Sequence, residues 1–171
     1  MRTDTIKEKV LQSLENEFVT ANTAAIYLKA SETQGLASDV LTALLDGIGS
    51  DADEVAVEMS FLPDGGESDL LYFVCGFLFS ENLDEVFVSR VREVIARANY
   101  YIPTGAFSCE NGTLMLRMNT TLPADIPQDK IEEACRAVVA SGIQLTNLYV
   151  RPLLRLSEGA MSIEDACADL F

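Results

Sequence analysis

Asn111-Gly112 stands between two runs of alternating polarity, 106–110 and 113–118. No other short signal in a sequence specifies a β-hairpin so closely. A type I′ turn needs positive φ at both central residues, which Gly tolerates fully and Asn better than most. With those two residues as the loop, Cys109 faces Leu114, Phe107 faces Leu116 and Gly105 faces Met118. One hairpin face then carries Phe107, Cys109, Leu114, Leu116 and Met118. The other carries Ala106, Ser108, Glu110, Thr113, Met115 and Arg117, and is mostly polar. A slip of one residue would turn the first set to water, so the register is well specified.

Two further strands precede this hairpin. Val55, Val57, Met59 and Phe61 alternate with Ala56, Glu58 and Ser60, the pattern of a half-buried strand. Pro63-Asp64-Gly65-Gly66 ends it, because Pro lacks a ladder donor and the glycines permit a turn. Gly65-Gly66 leads into a strand and not a helix, so it is no phosphate cradle. The next run, Leu70 to Phe79, is apolar on both faces. Leu71, Phe73, Cys75, Phe77 and Phe79 form one row; Leu70, Tyr72, Val74 and Leu78 form the other. The Val55–Phe61 and Leu71–Phe79 strands are expected to be neighbours, joined by a turn over Pro63–Asp69, with the Asn-Gly hairpin extending their sheet.

Helical signals surround the strands. Ile6, Val10, Leu11, Leu14 and Phe18 recur at three- and four-residue intervals over Asp4–Phe18. Asn82 with Glu85 has capping-box spacing, and Leu83, Phe87, Val91, Val94, Ile95 and Ala98 form the buried stripe of a helix over Leu83–Tyr100. Asn99 is expected to close that helix as a cap tolerating left-handed φ. Tyr100 and Tyr101 are expected to pack with their hydroxyls in water. Pro127 suits a first helical turn, and Ile131, Cys135, Val138 and Val139 continue the stripe of a long helix. Gly142 and Pro152 should weaken or bend it and Gly159 should stop it; Ser162-Ile163-Glu164-Asp165 suits the cap of a last short helix. Between Val19 and Ser50 the signal is weaker. Ala24–Lys29 suits a strand, while Leu36, Val40, Leu41, Leu44, Leu45 and Ile48 fit either a helical stripe or a strand of a meander.

Strands and helices occur in blocks, so the class is α+β: an antiparallel sheet, meander plus Asn-Gly hairpin, with helices packed on it. At 171 residues and 49% apolar content, residues 1–171 are expected to form one domain with a substantial core. No apolar run reaches the ~20 residues of a membrane span, and the N-terminal segment is amphipathic, unlike a secretory leader. The expected compartment is the cytoplasm.

The charge is lopsided. Twelve basic and 27 acidic residues leave a net −15, and between Lys29 and Arg90 thirteen acidic residues occur with no basic one. Such a field repels nucleic acid phosphates and anionic membranes, so neither is expected as a partner. The four cysteines, Cys75, Cys109, Cys135 and Cys167, are widely spaced, and there is no histidine. They are expected as small buried hydrophobes in a reducing compartment, with no metal and no cofactor. Acid pairs such as Asp84-Glu85 and Glu132-Glu133 fall in first helical turns, where carboxylates are expected for the helix dipole alone. No catalytic constellation is present, and no enzymatic activity is expected. Arg117 is expected to pair with Glu110 or Glu58.

A helix ending at Asn99, then Ile102-Pro103, Gly105 and Phe107, an acidic-Gly turn, Arg117 on the return strand and a long helix closing at Gly159 together resemble the YbjN-like family. The similarity covers roughly residues 55–166. It implies the α/β fold of type III secretion chaperones, a small acidic cytoplasmic protein, often a homodimer, and no catalytic residues. The function this suggests is a non-enzymatic protein-interaction module, chaperone-like, holding an apolar segment of a partner; a small-ligand binder or scaffold factor is the alternative. The candidate interface is the second row of the apolar strand with its neighbour: Leu70, Tyr72, Val74, Leu78 and Met115. Large apolar patches usually mark interaction sites. The competing arrangement folds the first helix, or the segment Ala24–Ile48, over that face within one chain.

Overall fold

The computed structural model describes residues 2–49, 54–63 and 69–170. In chain order the elements are α1 (Arg2–Thr20), β1 (Ala24–Leu28), β2 (Val40–Asp46), β3 (Glu54–Phe61) and β4 (Leu70–Ser80). There follow α2 (Glu85–Tyr101), β5 (Ala106–Glu110), β6 (Thr113–Pro123), α3 (Gln128–Ser157) and α4 (Ile163–Leu170). The six strands form one antiparallel sheet in the order β1-β2-β3-β4-β6-β5. This is the expected α+β class, a meander extended by a hairpin. Of the residues expected to turn between β3 and β4, Asp64 to Ser68 lie outside the described residues.

The Asn-Gly hairpin has the register its alternation specifies. Phe107 pairs with Leu116 and Cys109 with Leu114. Asn111 and Gly112 both adopt positive φ, 51° and 78°. Gly105 also has positive φ, and a Cβ there would meet the backbone carbonyl oxygen of Arg117 at 2.7 Å. The backbone bends at Gly105, and the strand that approaches it is the protein's own β6.

All four helices lie on one side of the sheet. Leu41, Ala43, Val55, Val57, Met59, Leu71, Phe73, Cys75, Phe77, Phe107, Leu114, Leu116 and Met118 point to that side and are buried. Helix α1 packs on β1–β3, α3 on β4 and β6, α2 on β5, and α4 on α2 and α3. Phe107 sits between Phe79 and Tyr149, with ring centroids 6.0 and 6.1 Å away. The contested segment Leu36–Ile48 resolves as strand β2, paired on both sides.

Several helix ends differ from expectation. The N-cap of α2 is Asp84, not Asn82: its carboxylate accepts from the Val86 N–H at 3.0 Å. Asn82 instead takes left-handed φ (61°) in a turn whose next N–H, that of Leu83, donates to the Gly112 carbonyl at 2.8 Å. That bond ties the hairpin tip to the entry of α2 and shifts the helix start by two residues. Pro152 does not end α3, which runs 30 residues to Ser157. Gly159, in left-handed φ, then closes it, with the Ala160 N–H reaching back to the Arg155 carbonyl at 2.8 Å. The Ser162 hydroxyl accepts from the Asp165 N–H at 3.1 Å and caps α4 as anticipated.

Asn99 is not a terminal cap. It lies inside α2, whose C-cap is Ile102. Its side-chain amide donates to the Phe107 carbonyl (2.9 Å) and its carbonyl accepts from the Phe107 N–H (2.8 Å). One turn pair earlier, Arg92 Nε donates to the Cys109 carbonyl at 2.8 Å. Phe107 and Cys109 are the residues of β5 whose backbone groups point away from β6, so α2 supplies side-chain partners along an otherwise unpaired edge. At the opposite edge Glu15 of α1 accepts from the Tyr27 N–H of β1 at 2.9 Å. Replacing Asn99 with Ala removes two hydrogen bonds and leaves both Phe107 groups unpaired. A loss of about 2 kcal/mol in denaturant-derived stability is expected, with faster aggregation on heating. Unchanged values for both would remove the edge-sealing role.

Candidate interaction surface

The side of the sheet opposite the helices is open. Within the described residues α1 packs against α3 and β1–β3 on the helical side, and the segment Ala24–Ile48 joins the sheet edge to edge as β1 and β2; neither covers that face. The competing arrangement, with either of them folded over it, is not the one adopted.

The register lays out the face row by row. One row runs Ala24, Leu44, Ala56, Leu78, Met115, Ser108 across all six strands. The next runs Ile26, Thr42, Glu58, Gly76, Arg117, Ala106, and a third Leu28, Val40, Ser60, Val74, Asn119. The five residues singled out from sequence all lie here. Leu78 and Met115 are direct cross-strand partners; Val74 pairs with Asn119, Tyr72 with Thr121 and Leu70 with Pro123. Leu70 and Tyr72 are 37% and 39% exposed, and Val74, Leu78 and Met115 are half-buried by one another. Leu44 and Ile26, 39% and 54% exposed, extend the apolar surface onto strands whose identity the sequence leaves open.

Charge on this face gathers at one end, where Asp46, Glu54 and Glu110 are exposed; the middle row carries Glu58 and Arg117. Arg117 makes no ion pair with Glu110 or Glu58. Glu110 sits at the hairpin tip opposite Thr113, several residues along from Arg117, and Glu58 lies two strands away with Gly76 between them. Two strand spacings come to about 9.6 Å. The space above Gly76 is taken by the Met115 methyl, 3.4 Å from where a Cβ would stand. Among the described residues, no ion pair or side-chain hydrogen bond engages either Glu58 or Arg117.

Elsewhere the molecule offers little that is built for chemistry. Tyr100 and Tyr101 form an edge-to-face pair (5.1 Å, 84°) on the surface, 83% and 59% exposed. Among the described residues no His, Cys, Asp or Glu cluster has the makings of a metal site, and no helix is long and apolar enough to cross a membrane. All four cysteines are unpaired thiols. Burial, and after it the adjacent Cys135, pushes the Cys75 thiol far above its usual range. Burial and then Glu132 push Cys135 up to about 12, against Arg136. Burial also raises Cys109, partly offset by Arg92. Such thiols stay protonated and make poor nucleophiles. A shallow groove of about 630 Å³ between the start of α2 and the hairpin tip contains Arg92, already engaged by Cys109. An apolar cleft of about 320 Å³ separates α1 from α3 beside Leu14, Phe18, Val139 and Ile143. No protein-family model and no curated protein matches this chain, which leaves the open sheet face as the feature from which a function is to be argued.

Proposed function

We propose that this protein is a non-enzymatic interaction module, chaperone-like in its mode of action, that holds apolar surface of another polypeptide on the open face of its sheet. The observation that carries this reading is the row Leu44–Ala56–Leu78–Met115. It is continuous over four adjacent strands and lacks a cover among the described residues. Fully burying a Leu, Ile, Val or Met side chain is worth roughly 1.5–3 kcal/mol; covering exposed Leu44 and Ile26 and the half-buried Val74, Leu78 and Met115 recovers a share of that at each and favours association. The face is nearly flat in chemistry and offers few directional anchors, which suits apolar capture better than recognition of a small polar ligand. The resemblance to the YbjN-like family and to secretion chaperones points the same way, and the four unpaired thiols suit a cytoplasmic site of action.

A photo-crosslinking amino acid placed at Leu78 or at Val74 tests the reading in intact cells, with Tyr100, exposed on α2, as the control position. Adducts to a polypeptide, whether another copy or a different protein, are expected from the two sheet positions and not from the control. Absence of adducts at both sheet positions, or equal labelling from Tyr100, would overturn it.

A further inference from the structure

Resting on that reading, we infer that the segment held on the open face belongs to a different protein and is an apolar stretch flanked by lysines or arginines, which lie over Asp46, Glu54 and Glu110 at one end of the sheet.

The charges of the sheet are few and one-sided. Its six strands carry five charged residues, Asp46, Glu54, Glu58, Glu110 and Arg117, and all five stand on the open face. Four of the five are acidic. Asp46 and Glu54 are direct cross-strand partners, a like-charge pair that repels at this spacing. At the same end of the sheet Ser80 and Thr113 are uncharged, and Thr113 pairs with Glu110. Among the described residues no ion pair or side-chain hydrogen bond engages Asp46, Glu54 or Glu110. The chain has no cation to bring them from its nearby loops, since no basic residue occurs between Lys29 and Arg90. Lys29 follows Leu28, which pairs with Val40 roughly 20 Å from Asp46 along β2, and it is bound to Glu8. Arg92 reaches the hairpin from the helical side, where the Cys109 carbonyl holds it.

The apolar row Leu44–Ala56–Leu78–Met115 lies two residues in from this acidic end, about 7 Å along the strands. A Lys or Arg beside the covering apolar residues can therefore lay its stem along the row and set its head on the carboxylates. On the other side of the row stand Glu58 and Arg117, one charge of each sign, so cations are drawn to one side only. That asymmetry gives the bound segment a direction. A second copy is a poor occupant, because it presents the same acidic end and each copy carries a net −15.

The test is fluorescence anisotropy on the full chain with three labelled synthetic probes. One alternates Leu and Ser and ends in a run of Lys; the second replaces the Lys run with Glu; the third keeps the Lys run and replaces every Leu with Ser. The first is expected to bind at least about tenfold tighter than either other probe, and to weaken as salt is raised. Exposed ion pairs contribute up to about fivefold each, so Asp46→Asn with Glu54→Gln should weaken the first probe about tenfold. Glu158→Gln with Asp169→Asn removes the same charge from exposed positions at the end of α3 and on α4, and should leave binding within about twofold of wild type. The inference is overturned if the first probe binds no tighter than the second or the third, or if both double variants weaken it equally, which would trace the preference to net charge alone. Either result, with crosslinks from Leu78 and Val74 still forming, would remove the basic flank and leave the interaction-module reading standing. Failure of every crosslink from those positions would remove both.

Discussion

At pH 10.5 the protein is expected to be about 4–5 kcal/mol less stable than at pH 7.5 through two side chains alone, Cys75 and Cys135. Both are fully buried, one on β4 and one on α3, and Cys135 opposes ionisation of Cys75. Burial lifts Cys75 well above the usual thiol range and Cys135 to about 12. In the unfolded chain both ionise near pH 8.5–9. A raised folded pKa means that the folded form holds its proton while the unfolded form releases it. Stability is therefore constant below about pH 8.5 and falls as the pH climbs between the unfolded and folded values. By pH 10.5 each thiol contributes a loss of roughly 2–3 kcal/mol. Total stabilities of single domains are about 5–15 kcal/mol, so this loss brings the protein near its unfolding threshold. Tyr27 adds a loss of the same sign above about pH 10, because burial first and its hydrogen bond to Asp39 next raise its ionisation. Denaturant titrations of wild type and of the Cys75→Ala, Cys135→Ala double variant separate these contributions. The variant is expected to start lower at neutral pH yet lose about 4–5 kcal/mol less on going alkaline. Parallel pH profiles would show that the thiols do not set the alkaline limit.

How much of this molecule is legible in its sequence depends on whether the deciding interaction is local. Asn111-Gly112 is a turn by its own backbone preferences, and the alternation on either side then dictates Phe107 against Leu116 without further information. The Val55–Phe61 and Leu70–Phe79 strands are readable for the same reason. Strand β2 is not. Leu44 is apolar yet points to the open face, so Leu41, Leu44 and Leu45 mimic a helical stripe, and only pairing with β1 and β3 settles the matter. Asn82 and Asp84 are both good cap residues; the bond from Leu83 to Gly112, some thirty residues on, chooses between them. Asn99 looks like a helix end because its partner, the outer edge of β5, exists only after the hairpin has folded back along α2. The interface candidates Leu70, Tyr72, Val74, Leu78 and Met115 were accessible from alternation alone. The relation of Glu58 to Arg117 across Gly76 required the register of three strands, β3, β4 and β6, the last of which reaches β4 only after α2 and β5.

Helix α3 approaches the sheet closely where one side chain is missing. Gly142 faces the sheet from α3, and a Cβ at that position would overlap the Cε2 and Cζ atoms of the Phe77 ring and stand 3.2 Å from Met118 Cγ. Phe77 is fully buried, held in register between Val57 and Leu116. Its ring cannot move without displacing strands on both sides. Ala is the better helix former by about 1 kcal/mol, so propensity alone predicts that Gly142→Ala stabilises the protein. Overpacking of a closed core costs more, and a net loss of about 3 kcal/mol is expected. A double-mutant cycle identifies the cause. In a Phe77→Leu background the ring atoms that collide are gone, and the penalty of Gly142→Ala should shrink to less than about 1 kcal/mol, a coupling near 2 kcal/mol. Additive penalties, or a stabilised Gly142→Ala protein, would mean that α3 has room to retreat. The consequence reaches the open face as well. Phe77 and Leu78 are consecutive on β4 and point to opposite sides, so a ring forced away from α3 shifts the strand at the middle of the open face. Gly142→Ala should accordingly lower crosslinking from Leu78 together with stability, whereas Asn99→Ala, acting at the far edge on β5, should leave that crosslinking within about twofold of wild type.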